Sequence, residues 1–279
     1  MKKKILVVTL IVVLVASLAF GLMGCKKEKG DDLIGFDVDL ARAVADKMGV
    51  DVEFKLIDWN SKEFEIKSGS IDLIWNGMTI NDERKIEFEL SPGYLKNAQA
   101  VVVKKSELSK YTSLSVLADK TVSAEAGSAG EDAVVKEINP KKYVPSKTQI
   151  DILTEIKAGT VDVGIMDSVL ANSYVTKEGF KDLAVVQSFN LGAEEYGFAA
   201  KKGSIAFIDE VFAQIVELKK EGKLNEIAKT YGLEADLIVP DTYEKRETTD
   251  NSLKEIKDKG KMVIGYTIFE PISYPKDAE

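Results

Sequence analysis

Two charged side chains in this sequence stand where they could grip a small molecule by its ionic ends. Arg84 follows Thr79 by five residues, on the loop expected after an apolar strand at 71–75. A guanidinium can hold a carboxylate with two parallel N–H···O bonds, which a lysine ammonium cannot. Asp167 comes directly after a second apolar run, 161–166, at the start of a helical pattern, and offers an anion to a cationic group. Structural roles compete with both readings: Arg84 can pair at the surface with Glu83 or Glu87, and Asp167 can serve as a plain helix N-cap. A third feature is the turn Ala126-Gly127-Ser128-Ala129-Gly130, between an apolar strand and a helix. The N–H groups of Ser128 and Ala129 at such a helix start attract an anion. Equally, the two glycines can mark nothing more than a flexible turn.

Other chemistries lack their parts. The 279 residues contain no histidine and a single cysteine, Cys25. A Ser–His–Asp triad, a Cys–His dyad, a His/Cys zinc site and internal disulfides are therefore excluded. No EF-hand-like loop is present. Glu63, Glu195 and Glu270 are scattered, without the paired arrangement that general acid–base chemistry asks for. No catalytic residue, metal or cofactor is expected. The net charge is −8, from 38 basic and 46 acidic side chains. An acidic surface argues against a nucleic-acid partner.

The elements that must position these residues alternate. Leu40, Ala41, Val44, Ala45 and Met48 recur at helical spacing behind a capping Asp37, with Gly49 at the stop. Residues 52–56 alternate apolar and polar like a half-buried strand, 60–68 read as a short helix, and 71–75 as a buried strand. Strands at 100–103, 120–124, 161–166, 183–187 and 197–200 follow. Helices are expected from about 131, then over 150–158, 167–176, from Ser204 onward and over 225–231. Residues 237–251 are polar and loop-like, and a helix at 253–259 and a strand at 261–266 close the chain. Strand and helix in alternation give an α/β fold with mainly parallel sheets.

The amino terminus reads as an address. Residues 1–4 are basic and 5–23 form an uncharged apolar run, the pattern of a secretory signal peptide; length alone leaves a transmembrane helix open. The run ends in Leu22-Met23-Gly24-Cys25, which resembles a bacterial lipobox. That resemblance implies cleavage before Cys25, lipidation of its thiol and anchoring to the outer face of the cell membrane. Residues 26–29 would be a tether.

Several segments resemble the polar amino-acid solute-binding proteins of ABC importers. They are Gly35-Phe36-Asp37-Val38-Asp39-Leu40-Ala41, the run from Gly69-Ser70-Ile71-Asp72 through Asn76-Gly77-Met78-Thr79 to Asn81-Asp82-Glu83-Arg84, then Ala158-Gly159-Thr160-Val161-Asp162 and Glu221-Gly222-Lys223-Leu224-Asn225. The resemblance implies a two-lobed periplasmic-binding-protein-like fold of type II, a free amino acid in the interlobe cleft and an ABC permease as partner. It assigns Arg84 to the ligand α-carboxylate and Asp167 to its ammonium. Gly77, Thr79, Ser128 and Ala129 would be further contacts, with Trp59, Tyr266 and Phe269 as aromatic walls and Asn76 and Met166 facing the pocket. Relatives for basic amino acids carry an aspartate where this chain has Tyr266. The expected ligand is therefore a neutral or acidic polar amino acid, or cystine. The same fold also hosts dehydratase-like enzymes and ligand sensors.

The segment order departs from the family's. The strand and loop over 261–274 come first in the family and last here. Joining Glu279 to Gly30 would restore the usual order, so a circular permutation is expected. Lobe 1 then comprises 30–103 and 199–279, with 237–251 as the linker joining the old ends. Lobe 2 comprises 104–198, with crossing strands near Val103 and Phe198.

Overall fold

The computed structural model describes residues 32–189 and 191–277. The expected signal segment, Cys25 and the expected tether at 26–29 lie outside the described residues. The chain begins with Leu33–Ile34 (β1), Phe36–Met48 (α1) and Asp51–Leu56 (β2), then a 3₁₀ turn at Trp59–Ser61 and Lys62–Lys67 (α2). Leu73–Thr79 (β3), Asp82–Glu87 (α3), Phe88–Leu90 (β4) and Leu95–Lys104 (β5) follow. Next come Thr121–Glu125 (β6), Ala129–Ala133 (α4), Lys142–Ser146 (β7), Gln149–Ala158 (α5), Val163–Asp167 (β8), Ser168–Tyr174 (α6) and Leu183–Val185 (β9). The last third holds Ala193–Lys201 (β10), Ile205–Lys220 (α7), Lys223–Tyr231 (α8), Ser252–Lys259 (α9), Lys261–Tyr266 (β11) and Tyr274–Pro275 (β12).

The strands run in the order β2-β11-β3-β10-β5-β8-β6-β7, with β4 on β10 and β9 on β5. β11 is parallel to β2 and β3, and β6 is parallel to β7 and β8. These parallel groups form two lobes, joined where the antiparallel pair β5 and β10 crosses between them. β5 pairs with β10 through residues 95–98 and with β8 through 99–102. The crossing therefore lies at about Asn97–Gln99 on one strand and at the start of β10 on the other, earlier than Val103 and Phe198. The apolar cores of both strands are legible in the sequence. Their polar leading ends are not, because those ends face a cleft rather than a hydrophobic layer.

Packing explains the placement of the C-terminal strand. Met262 and Ile264 are fully buried, and β11 fills the slot between β2 and β3 that would otherwise expose both strand edges. β12 pairs antiparallel with β1, Ile34 opposite Tyr274 and Leu33 opposite Pro275, and the Lys276 N–H donates to the Asp32 carbonyl at 2.7 Å. Around this frame Trp75, Tyr94, Phe198 and Phe212 form an aromatic core, with Trp75 and Phe198 ring centroids 4.6 Å apart.

Local departures from the sequence reading have simple causes. β3 extends to Thr79 because residues 78 and 79 pair with Gly197 and Tyr196 of β10. Asp37 does not cap α1. Gly35 occupies the N-cap, while Asp37 sits inside the first turn, buried, and accepts from the Gly77 N–H (2.9 Å) and the Tyr94 hydroxyl (2.8 Å). β7 escaped the reading because it is a half-exposed edge strand interrupted by Pro145, a residue that edge positions tolerate.

Candidate functional site

Arg84 is held in place from two directions. Asn81 caps α3, its side-chain oxygen accepting from the Arg84 N–H at 2.8 Å, which puts Arg84 in the first turn. The guanidinium folds back, donating to the Thr79 carbonyl at the end of β3 (2.7 Å) and reaching the Gly127 carbonyl of the other lobe (3.5 Å). It is buried, with no ion pair within 4 Å to Glu83 or Glu87; Glu83 instead pairs with Lys136 and Glu87 with Lys67. Burial pulls its pKa down, and the charges of Asp132, Asp167 and Glu194 oppose that pull. With five N–H donors, a guanidinium fixed this way keeps capacity for a ligand carboxylate.

Asp167 occupies the N-cap position of α6, but its side chain makes no capping bond. The carboxylate turns into the cleft instead. It accepts from Asn97 (2.6 Å) and Gln99 (2.9 Å) of β5 and from the Gln149 amide, while its own N–H donates to Gln149 Oε1 at 2.9 Å. Burial raises its pKa, and these amide bonds restrain the rise. Glu194 of β10 lies alongside, accepting from Thr79, Asn97 and Gln99 at 3.0–3.1 Å. Burial raises its pKa first, and the Asp167 charge second.

Arg84 and Asp167 line a common space with Trp59, Asn76, Gly77 and Thr79 from one lobe and with Ser128 and Ala129 from the other. Phe269 closes one wall. Ser128 caps α4, accepting from the Glu131 N–H at 3.1 Å, so this helix starts at Ala129 rather than near 131. Gly77 has φ +60°, and a Cβ there would lie 2.9 Å from the Phe269 ring. Its N–H is already bonded to Asp37, so Gly77 shapes the wall more than it offers a donor. The Asn76 amide pairs with the Thr267 hydroxyl (2.7 Å) and the Ser273 hydroxyl.

Two of the sequence-derived candidates do not line this space. The Tyr266 ring packs edge-on against Phe54, with centroids 6.3 Å apart. Alternation along β11 turns residue 266 away, and the next residue, Thr267, takes the place in the cleft. The expectation of a neutral or acidic ligand rested on Tyr266, which does not line the space around Arg84 and Asp167. Met166 alternates with Asp167 in the same way, and its side chain is buried in the core opposite Ala100. The sequence reading missed Thr267, Gln149 and Glu125, all of which line the cleft. Glu125 carries the clearest signal: a carboxylate at the end of an otherwise apolar strand, immediately before the glycine turn.

The walls meet closely. Together they leave about 10 Å³, roughly the room of one water. An outer groove of about 220 Å³ shares Arg84 and Ser128 with the inner space and opens toward Asn60, Asn81 and Asp132. Lys62 bridges the lobes beside it. Its ammonium donates to the Gly127 carbonyl (2.9 Å) and the Trp59 carbonyl (3.3 Å) and sits 5.2 Å from the Trp59 ring centroid. Burial, then the Arg84 charge, lowers its pKa to about 8. An amino acid can enter this site only when the lobes part, and can be enclosed when they meet.

Comparison with known proteins agrees with this architecture. The arginine-binding extracellular protein ArtP of Bacillus subtilis is 32% identical over 211 residues, covering 73% of this chain and 80% of that protein. The L-cystine-binding protein TcyJ of Escherichia coli is 26% identical over 208 residues, covering 73% and 76%. A solved ABC uptake transporter substrate-binding protein from Streptococcus pneumoniae, with bound histidine, is 33% identical with a TM-score of 0.67, covering 72% of this chain and 85% of that one. The profile of bacterial extracellular solute-binding proteins, family 3, matches residues 15–234. On that match, and on a two-lobed α/β fold with a polar cleft at the crossing strands, the chain belongs to the bacterial extracellular solute-binding proteins of family 3.

Proposed function

We propose that this protein captures a free amino acid outside the cytoplasm and delivers it to an ABC importer. The observation that carries the reading is one cleft with a fixed guanidinium on one side and a carboxylate held by three amides on the other. An amino acid presents the complementary carboxylate and ammonium on adjacent atoms. Arg84 takes the first, helped by the N–H groups at the start of α4. Asp167 takes the second. Charge-assisted bonds contribute about 1.5–3 kcal/mol each, and a few of them, less ordering costs, reach the roughly −8 kcal/mol of micromolar binding. The relatives named above are arginine- and cystine-binding proteins and a protein holding histidine, which supports an amino acid as the ligand class.

Ligand that bridges the lobes stabilises the closed form over the open one by its differential contacts. The closed, loaded protein is the form a permease would engage. The lipobox at Leu22 to Cys25 supports anchoring to the outer face of the membrane. A binder is favoured over a dehydratase-like enzyme because each cleft acid but Glu125 is tied into several hydrogen bonds, an arrangement for holding charge rather than shuttling protons. Turnover of prephenate-like acids by the protein would reverse that preference.

Circular permutation belongs to the same reading. It is supported by the ribbon of β1 and β12, which resembles a hairpin cut at its turn, with Lys276 bonded to Asp32. The extent of the family match supports it too, since the match stops at 234, before α9 and β11. A lobe division at the crossing follows, near Asn97–Gln99 on β5 and at the start of β10, in place of 103/104 and 198/199, with 237–251 as the junction.

The test is a thermal-shift screen of the lipid-free protein against the common amino acids and cystine. A ligand bound only by the folded state raises the melting temperature. A shift with one or a few amino acids, absent in Arg84→Ala and Asp167→Ala, supports the reading; a cooperative melt that no amino acid moves contradicts it.

A further inference from the structure

The cleft holds one carboxylate more than amino-acid binding requires. The space around Arg84 and Asp167 is lined by one cation, Arg84, and two carboxylates, Asp167 and Glu125. A zwitterionic amino acid adds one charge of each sign and leaves that imbalance unchanged. Buried charges without partners are costly, so the closed cleft needs one further positive charge.

Geometry locates the need. Asp167 and Glu194 are stabilised by hydrogen bonds from Asn97, Gln99, Gln149 and Thr79. Glu125 lies deeper in the second lobe, at the end of β6, with about 5% of its surface exposed, and lines the same space as Trp59, Phe269 and Thr267. Lys62 faces it from α2, Asp58 from the turn before α2, and Asp167 from β8, with Gln149 of α5 beside it. Lys62 spends its ammonium on the carbonyls of Gly127 and Trp59 rather than on Glu125. Two aromatic rings and a carboxylate are suited to a flat or extended cationic side chain.

We propose that Glu125 is the specificity-determining residue of the cleft, acting as counter-ion to a positively charged ligand side chain of the arginine or lysine type. The proposal rests on the amino-acid reading above and names the ligand class within it. Burial first, and the Asp167 charge second, push the Glu125 carboxyl up to about 8. At neutral pH it then carries a proton, which supplies the missing charge. A cationic side chain replaces that proton, and the proton leaves to solvent as the ligand binds.

The test is titration calorimetry at pH 7 with L-arginine, L-lysine, L-citrulline, L-glutamine and L-glutamate, in two buffers of different ionisation enthalpy. Citrulline matters because it keeps the shape of arginine and removes the charge. The expected result is arginine or lysine binding roughly 10- to 100-fold tighter than citrulline or glutamine, the worth of one charge-assisted bond. Proton release on binding should accompany it. Glu125→Gln should remove that preference, bringing arginine to within about threefold of citrulline, and abolish the proton release. The proton count of the unaltered protein is an independent readout, should the variant fold poorly. Citrulline, glutamine or glutamate binding as tightly as arginine, or arginine binding without proton release, overturns the role of Glu125 and leaves amino-acid capture standing. No response to any of the five, or to other amino acids in the thermal screen, overturns both.

Discussion

At the residue scale the account depends on Arg84 and Asp167, and on the atoms that hold them. Arg84→Lys keeps the charge but loses the planar fork, so it should weaken binding by roughly 10- to 100-fold while moving the unliganded melting temperature little. Asp167→Asn should weaken binding comparably; ligand affinity against unliganded melting separates this from a folding defect. Gly77→Ala is a different kind of test. Its φ of +60° and the 2.9 Å approach of the Phe269 ring to a built Cβ leave no strain-free position for a methyl group. A loss of roughly 1–3 kcal/mol in denaturant unfolding is expected. At this scale the sequence was informative where a residue type has few alternative uses, as with Arg84 in its motif. It misled at Tyr266 and Met166, where a one-residue shift along a strand exchanges cleft for core. Glu125 and Gln149 were missed because their neighbours in space come from other elements.

At the element scale the site is built at the ends of strands. β3, β6 and β8 deliver Thr79, Glu125 and Asp167, and the helix starts that follow β3 and β6 deliver Arg84, Ser128 and Ala129. Ser128→Ala removes the cap of α4 and should cost about 0.5–2 kcal/mol of stability, with a weaker hold on the ligand carboxylate. Most helices and strands were legible because their apolar periodicity is strong, as in α1, α7 and β11. The polar stretch Lys96 to Gln99 was not. It alternates toward the cleft and pairs with β10, a strand about one hundred residues away, so nothing local marks it. This segment carries two of the amides that hold Asp167, so the hidden end of β5 proves functionally important.

At the scale of the whole molecule, two properties follow. Asp37 is buried between α1, Gly77 and Tyr94, and its carboxyl is pushed up to about 7 from 3.8, chiefly by burial. The folded state therefore holds this proton more tightly than the unfolded state does. Its contribution favours folding at low pH and is lost progressively as pH rises from about 4 toward 7. Asp37→Asn should flatten the decline in stability between about pH 4 and pH 7, and parallel pH profiles for variant and parent would contradict the assignment. The second property is segment order. A rearranged chain that joins 276–279 to 30–32 by a short turn and opens at 237–251 should fold to the same structure and bind the same ligand within a few-fold. An insoluble rearranged chain beside a well-behaved parent would count against permutation. The fold class was legible from alternation alone, whereas the partner strands of β11 became clear only in three dimensions.

The central claim is amino-acid capture by Arg84 and Asp167, and the most direct measurement is the thermal-shift screen with the unaltered protein and the Arg84→Ala and Asp167→Ala variants side by side. The account predicts a raised melting temperature with one or a few amino acids for the unaltered protein, and none for either variant although both melt cooperatively. A cooperative melt of the unaltered protein that no amino acid shifts, or an undiminished shift in both variants, would contradict it.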